Sequence, residues 1–211
     1  MMVLLVLSVL AVAIILAKLF QFYRSGLRRL EFVESAISAL YSGRKDEALK
    51  ELDRQRNPIA RVMESAVRCG ADQRMTAKDV EAEVSRVGSA QIRNLESWLR
   101  GLSAIAHLSP LIGLLGTVTG MIAAFMRLEE AGSRVDPSIL SGGIWEALLT
   151  TAFGLTVAIP SMAAFYYLEG EVDNVRAAMK DATVRILLHF GKSPSSVGSG
   201  ERVVEDDTHG V

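Results

Sequence analysis

The chain has a single cysteine, Cys69, so neither a disulfide framework nor a thiolate metal site can be built within it. Cys69 stands in a charged helical stretch before Gly70 and is read as a packing residue. The three histidines, His107, His189 and His209, are far apart and lack the i, i+4 spacing of a helical zinc motif, so no metal and no cofactor is expected. Aromatic residues make up only 6% of the chain and the net charge is -1, which leaves no basic surface of the kind that binds nucleic acid. Enzyme signatures are missing as well. Gly113-Leu114-Leu115-Gly116-Thr117 has the glycines of a phosphate loop, but it lacks the lysine and lies in an apolar run. There is no nucleophile elbow and no pair of carboxylates on a soluble scaffold. Covalent catalysis is not expected.

What is present is a sharp segregation. Half of the 211 residues are hydrophobic, yet 23 are basic and 24 acidic. Long uncharged runs alternate with strongly charged ones, which is the pattern of a polytopic membrane protein. Met1 to Ala17 carries no charge and extends to Phe22 if Lys18 snorkels, approaching the roughly 20 residues a bilayer core requires. A cleaved signal peptide is disfavoured, because no Lys or Arg precedes the run and no small-x-small site follows it. Gly101 to Met126 has no Asp, Glu, Lys or Arg, and Ile139 to Leu168 has only Glu146. These are the second and third spans. Lys18, Arg24, Arg28 and Arg29 follow the first span and Arg93 and Arg100 precede the second, which puts the region between them in the cytoplasm and the N-terminus in the periplasm. Trp145, Tyr166 and Tyr167 suit interfacial anchors for the third span.

The fold class expected is an all-α membrane protein in which long helices extend from three transmembrane spans into a cytoplasmic helical stalk. Its parts are a first transmembrane helix (1–22), a cytoplasmic helical region (23–100), a second span (101–127), a periplasmic loop (128–138), a third span (139–168), a cytoplasmic C-terminal helix (169–192) and a disordered tail (193–211). Leu30, Val33, Ile37 and Leu40 fall on one helical face, and Ser42-Gly43 ends that helix. Asn57-Pro58 starts the next and Cys69-Gly70 closes it. Thr76 and Asp79 have capping-box spacing, predicting one long helix from about Ala77 to Leu128, with Pro110 as the place for a kink. Val172, Val175, Met179 and Ile186 predict an amphipathic helix over Glu169 to Phe190 that packs on this stalk.

The spans differ in texture. The first is bulky and aliphatic, which suits lipid. The other two are rich in small and hydroxylated residues: Ser109, Gly113, Gly116, Thr117, Thr119 and Gly120 in one, and Gly142, Gly143, Thr150, Thr151, Gly154, Thr156 and Ser161 in the other. Gly116, Gly120 and Ala124 recur every fourth residue, which lets helix backbones approach closely. Glu146 lies nearly three turns into a helix starting near Asp136-Pro137, and Thr150, Thr151 and Gly154 continue a narrow polar stripe from it. An intramembrane carboxylate is costly and faces a cavity, a partner or an ion path. The alternative is an interfacial carboxylate near the outer helix end. For the threonines the alternative is a bond back to the preceding helical turn, for Pro160 a packing kink, and for His107 an interfacial position.

The segment Leu108-Ser-Pro-Leu-Ile-Gly-Leu-Leu-Gly-Thr-Val-Thr-Gly-Met-Ile122, with Ile144-Trp-Glu-Ala-Leu-Leu-Thr-Thr-Ala-Phe-Gly-Leu-Thr-Val-Ala-Ile-Pro160, closely resembles the paired signature of the MotA/TolQ/ExbB proton channel family. The resemblance is strong over about Gly101 to Leu168 and extends to the rest in layout only. Three spans make the chain more similar to ExbB and TolQ than to MotA. The resemblance implies a homo-oligomer, a pentamer, around a pore lined by spans two and three and holding a dimer of single-span ExbD/TolR-like partners. The resemblance also implies that the proton is carried by an aspartate of the partner. It places Glu146, Thr117 and Thr151 on the family's functional acidic and hydroxyl positions, Pro160 on its characteristic proline, and Thr150 beside them in the pore lining. Gly113, Gly116, Gly120, Gly154 and Pro160 serve helix packing. The function implied is an ExbB-like subunit of the bacterial inner membrane that delivers work through a TonB-like or TolA-like periplasmic protein. A TolQ-like role in envelope maintenance is the near alternative, and sodium the alternative ion. From other classes come a non-conducting oligomerisation scaffold and a solute transporter, the latter weakened by the lack of an internal repeat.

Overall fold

A computed structural model describes residues 2–27, 30–130 and 137–192 of the chain. Every regular element among the described residues is an α-helix: α1 Met2–Ser25, α2 Glu31–Tyr41, α3 Lys45–Asp53, α4 Pro58–Ala71, α5 Ala77–Glu96, α6 Leu99–Glu130 and α7 Pro137–His189. The tail at 193–211 and residues 131–136 of the expected loop lie outside the described residues. Three helical stretches are long and apolar enough to cross a membrane, beginning at Met2, Ala77 and Leu140. The helices group into two compact units, one formed by Met1–Leu30, Arg56–Pro58 and Ser89–Ala178, the other by Glu31–Gln55, Ile59–Gly88 and the described residues from Met179 onward.

In the first unit, α1 has 24 residues, about 36 Å at 1.5 Å per residue, enough for a hydrocarbon core of about 30 Å. Only Leu4, Ala11 and Lys18 of this helix are buried. Their seven-residue spacing makes one stripe, and α1 packs on α6. Lys18 therefore does not snorkel as the apolar run suggested. It is 2% exposed, and its ammonium donates to the carbonyl oxygen of Leu95 at 2.9 Å, to Gln21 Oε1 at 2.9 Å and to Ser97 Oγ at 3.2 Å.

Those partners lie where a second expectation fails. A continuous helix over 77–128 is predicted, but the helix is interrupted at Ser97-Trp98, where Trp98 has a positive φ of 67°. Pro110 stays inside α6, since a proline in a long apolar helix removes one backbone bond without ending it when neighbouring helices support the turn. Conversely, α7 is a single helix of 53 residues where a span and a separate C-terminal helix are predicted. Gly170, with nothing within 4 Å of a would-be Cβ, does not break it.

In the second unit, α2 buries Phe32, Val33, Ala36, Ile37 and Leu40, while Leu30 precedes the helix and is exposed, which corrects the expected face. The Ser42-Gly43 stop is a Schellman end. Gly43, at φ 76°, donates to Leu40 O at 3.0 Å, and Arg44 N donates to Ala39 O at 2.9 Å. The following helix, α3, has no counterpart in the expected organisation. It is short and charged, burying Ala48 and Leu52 one turn apart, and it packs on α2. In α4, which starts at Pro58, Ile59, Ala60, Met63, Ala66 and Val67 are buried. Thr76 and Asp79 form the anticipated capping box, with Asp79 N bonded to Thr76 Oγ1 at 3.2 Å and Thr76 N to Asp79 Oδ2 at 3.1 Å.

Candidate ion-pathway site in the α6–α7 pair

α6 and α7 run antiparallel along a seam of small residues. A Cβ placed on Gly113 would lie 3.1 Å from Thr150 O and from Thr151 Cα, and one on Gly116 would meet Thr150 Oγ1 at 2.5 Å. Gly120 faces Ala147 at 3.0 Å, Gly143 faces Ala124 at 2.5 Å, and Gly154 faces the carbonyl oxygen of Ser109 at 2.6 Å. The approaches at Gly116, Gly143 and Gly154 are closer than a real Cβ makes, and those at Gly113 and Gly120 are tighter than most, so a side chain at any of them would push the helices or a neighbour aside. In lipid there is little hydrophobic driving force between helices, and close backbone packing takes its place. Gly113, Gly116, Gly120 and Gly154 thus lie in the seam. Pro160 is exposed on α7 and outside it.

Close approach lets hydroxyls reach across. Thr151 Oγ1 donates to Gly113 O at 3.0 Å, and Thr150 Oγ1, which donates to Ala147 O at 2.7 Å, also lies 3.4 Å from Gly113 O. Two threonines of one helix converge on one carbonyl of the other. Thr117 instead bonds within its own helix, to Leu114 O at 2.6 Å, as Thr119 and Thr156 do within theirs. The hydroxyl stripe therefore splits: Thr150 and Thr151 join the helices, while Thr117 has only its own turn.

Glu146 follows Pro137 by nine residues, about 14 Å along α7. It is exposed, adjoins buried Ala147, and forms no hydrogen bond or ion pair among the described residues. Its carboxylate thus lies outside the seam, on a surface that one chain leaves open. The pair also exposes Leu111, Leu114, Leu115 and Val118 on α6 and Trp145, Leu148 and Phe153 on α7. Large apolar side chains on this scale call for lipid or further protein.

Beyond the apolar stretch the pair turns charged. Arg176 of α7 pairs with Glu96 at 2.6 Å and with Asp173 on its own helix. These residues line an open groove of about 370 Å³ with Arg100, Phe165 and Glu169. The ion pair ties α7 to the end of α5. Sequence reasoning overlooked Ala147 as the partner of Gly120 and misplaced Lys18. The 4, 11, 18 spacing was the available signal for the lysine.

Three long apolar helices, two of them joined by a glycine and hydroxyl seam, define a multi-pass helical membrane protein. Residues 54–181 match the model of the MotA/TolQ/ExbB proton channel family, and the chain belongs to that family. It is similar to an ExbB biopolymer transport protein homolog of Methanothermobacter thermautotrophicus, 31% identical over 144 residues, covering 68% of this chain and 50% of that protein. It is also similar to the Tol-Pal system protein TolQ of Haemophilus influenzae, 37% identical over 109 residues, 49% of this chain and 47% of the relative. A third relative is the biopolymer transport protein exbB1 of Vibrio cholerae, 37% identical over 90 residues, 43% of this chain and 40% of the relative. The chain spans half or less of the length of these curated relatives.

Proposed function

We propose that this chain is an ExbB-like proton-channel and motor subunit of the bacterial inner membrane. With a single-span ExbD-like partner it converts proton motive force into work for a TonB-like protein that drives outer-membrane transport. The observation that carries this is Glu146, which has no partner among the described residues and precedes Thr150 by one helical turn, on a helix pair whose other exposed surface is apolar. A carboxylate and hydroxyls can hold a short water chain in an apolar pore, and a partner carboxylate passes it only when protonated. Proton flow is thereby tied to helix motion.

The chain acts as a homo-oligomer, a pentamer, in which the exposed faces of α6 and α7 surround the pore. Thr117, Thr150, Thr151 and Glu146 line it, and Gly113, Gly116, Gly120 and Gly154 pack its helices. The basic residues after α1 favour a periplasmic N-terminus and a cytoplasmic C-terminus. A TolQ-like role with TolR-like and TolA-like partners is the second reading, favoured by the likeness to TolQ of Haemophilus influenzae.

The test is proton-driven activity in liposomes holding the chain and its partner, comparing wild type with Glu146→Ala and Thr151→Ala at matched assembly. A sharp fall with the oligomer intact supports the motor. Undiminished activity in both variants overturns the pathway and favours a non-conducting scaffold. Replacing the proton gradient by a sodium gradient should abolish activity.

A further inference from the structure

We propose that Lys18 is a positioning residue: its ammonium holds open the joint between α5 and α6 at Trp98 and so sets the direction in which α6 leaves to meet α7. The joint exists whether or not the polar stripe conducts, so the inference stands apart from the proposed function.

Trp98 is where the chain is strained. A φ of 67° is the left-handed region that an L-residue other than glycine, asparagine or aspartate seldom adopts. The indole is not packed within the chain, since Trp98 is 72% exposed. Something else must hold the backbone there, because Ala77–Glu96 and Leu99–Glu130 would otherwise join into one unstrained helix.

Lys18 supplies it. At a helix end the last carbonyls have no intrahelical donor and carry the negative end of the helix dipole. The ammonium has three protons and three partners near 3 Å: Leu95 O at 2.9 Å, Ser97 Oγ at 3.2 Å and Gln21 Oε1 at 2.9 Å. Asn94 O lies at 3.5 Å and accepts from Ser97 Oγ at 2.7 Å. No carboxylate is among these partners. In a continuous helix the carbonyl of Leu95 would bond the amide of Leu99, and a cation buried to 2% exposure would share its main-chain acceptor with that amide. The break leaves the acceptor to the cation, and the cation satisfies a carbonyl that the break frees.

The position suits such a role. Lys18 ends the buried stripe Leu4, Ala11, Lys18, on the side by which α1 packs on α6. α6 starts directly after the joint with Leu99 and Leu102 buried, and about 21 Å farther along the same helix is Gly113, where it meets Thr151. A change in direction at Trp98 is carried along that helix to the seam.

The experiment is a spin-label distance measurement across the joint in the full chain in liposomes. Labels are placed at Arg93→Cys and Leu111→Cys in a Cys69→Ser background, diluted with unlabelled chains so that only the distance within one chain is read. A continuous helix would separate the two backbones by about 27 Å. Wild type and Trp98→Gly should share one narrow distribution distinct from that of a straight helix. Lys18→Met should shift or broaden it towards the straight helix. Lys18→Met with Trp98→Gly should return it to the wild-type position, because glycine removes the left-handed penalty that the lysine otherwise offsets. A Lys18→Met distribution identical to wild type overturns the proposal, and so does a double variant that behaves like Lys18→Met alone. Should Lys18→Met fail to assemble, the double variant must restore both assembly and the wild-type distance. Its failure to do so also overturns the proposal.

Discussion

Thr151 of α7 donates its hydroxyl to the main-chain carbonyl of Gly113 on α6, at 3.0 Å. Gly113 has no side chain to hold the helices apart, and a Cβ there would be 3.1 Å from Thr151 Cα. The bond and the glycine are thus one feature, in which the missing side chain lets the hydroxyl arrive. Thr151→Val keeps the shape and removes the donor, so it should destabilise the helix pair by about 0.6 kcal/mol and by no more than about 2. Thr151→Ser should be close to wild type. Thermal unfolding in detergent or nanodiscs reads the difference, and equal stability of the valine and serine variants would show that the bond contributes nothing.

Gly154 should tolerate no side chain. Its would-be Cβ lies 2.6 Å from the backbone oxygen of Ser109, which cannot swing aside as a side chain can. Gly154→Val should cost about 1–3 kcal/mol or more and lower the yield of assembled protein. Gly170 is helical, exposed and has open space around it, so Gly170→Ala should stabilise α7 by about 0.5–1 kcal/mol. Unfolding midpoints for the two variants should move in opposite directions. A shift in the same direction for both would mean that packing along the seam does not decide the outcome.

The second unit should weaken in acid through Glu34. Arg185 donates two hydrogen bonds to its carboxylate, at 2.6 and 2.9 Å, and these hold the Glu34 carboxyl below its ordinary value of 4.5. The folded chain therefore favours the ionised form more than the unfolded chain does. Its contribution to stability is fully present above 4.5 and is lost as the pH falls through that value towards the lower folded one. Glu34 is exposed, so the effect is small. Unfolding of wild type and Glu34→Gln, followed from neutral pH down to about 3, should show a difference that narrows towards the acid end. A gap that stays constant with pH would remove the ion pair from the explanation.

Lys192 should hold the end of α7. Its ammonium donates to the carbonyls of Asp72 at 2.8 Å and Met75 at 3.0 Å, with Cys69 O at 3.4 Å. Immediately before it, Gly191 at φ 67° closes the helix, and Lys192 N bonds Leu187 O at 2.9 Å. Lys192→Met should leave the Gly191 turn intact but release the segment from the turn after α4, at a cost of about 1 kcal/mol. Hydrogen exchange at Leu187–Phe190 should accelerate while α2 keeps its protection. Unchanged exchange in that segment would show that Phe190, packed against Gly70, suffices alone.

The features legible in the sequence were those set by neighbouring residues. The capping box at Thr76 and Asp79 and the stop at Gly43 depend on local spacing and appear as predicted, and the four-residue run Gly116, Gly120 and Ala124 lies along the α6–α7 seam. The small-residue texture of spans two and three marked both as protein-facing. Less legible was the division among the threonines. Thr117 and Thr151 are alike in sequence, and only the crossing of α6 and α7 makes one a link between helices and leaves the other bonded to its own turn.

By itself the sequence determined that the chain is helical, that three apolar stretches are long enough to span a bilayer, and that two of them are lined with small residues. Each of these follows from hydropathy and periodicity over short stretches of chain. Tertiary structure alone decided that Lys18 is buried against the end of α5, that the long helix breaks at Trp98, that α7 continues unbroken through Gly170, and that Glu146 lies outside the seam without a partner among the described residues. The physical reason is distance along the chain. Lys18 and Leu95 are 77 residues apart, and Thr151 and Gly113 are 38. No local preference shows which lone carbonyl a donor that far away will reach.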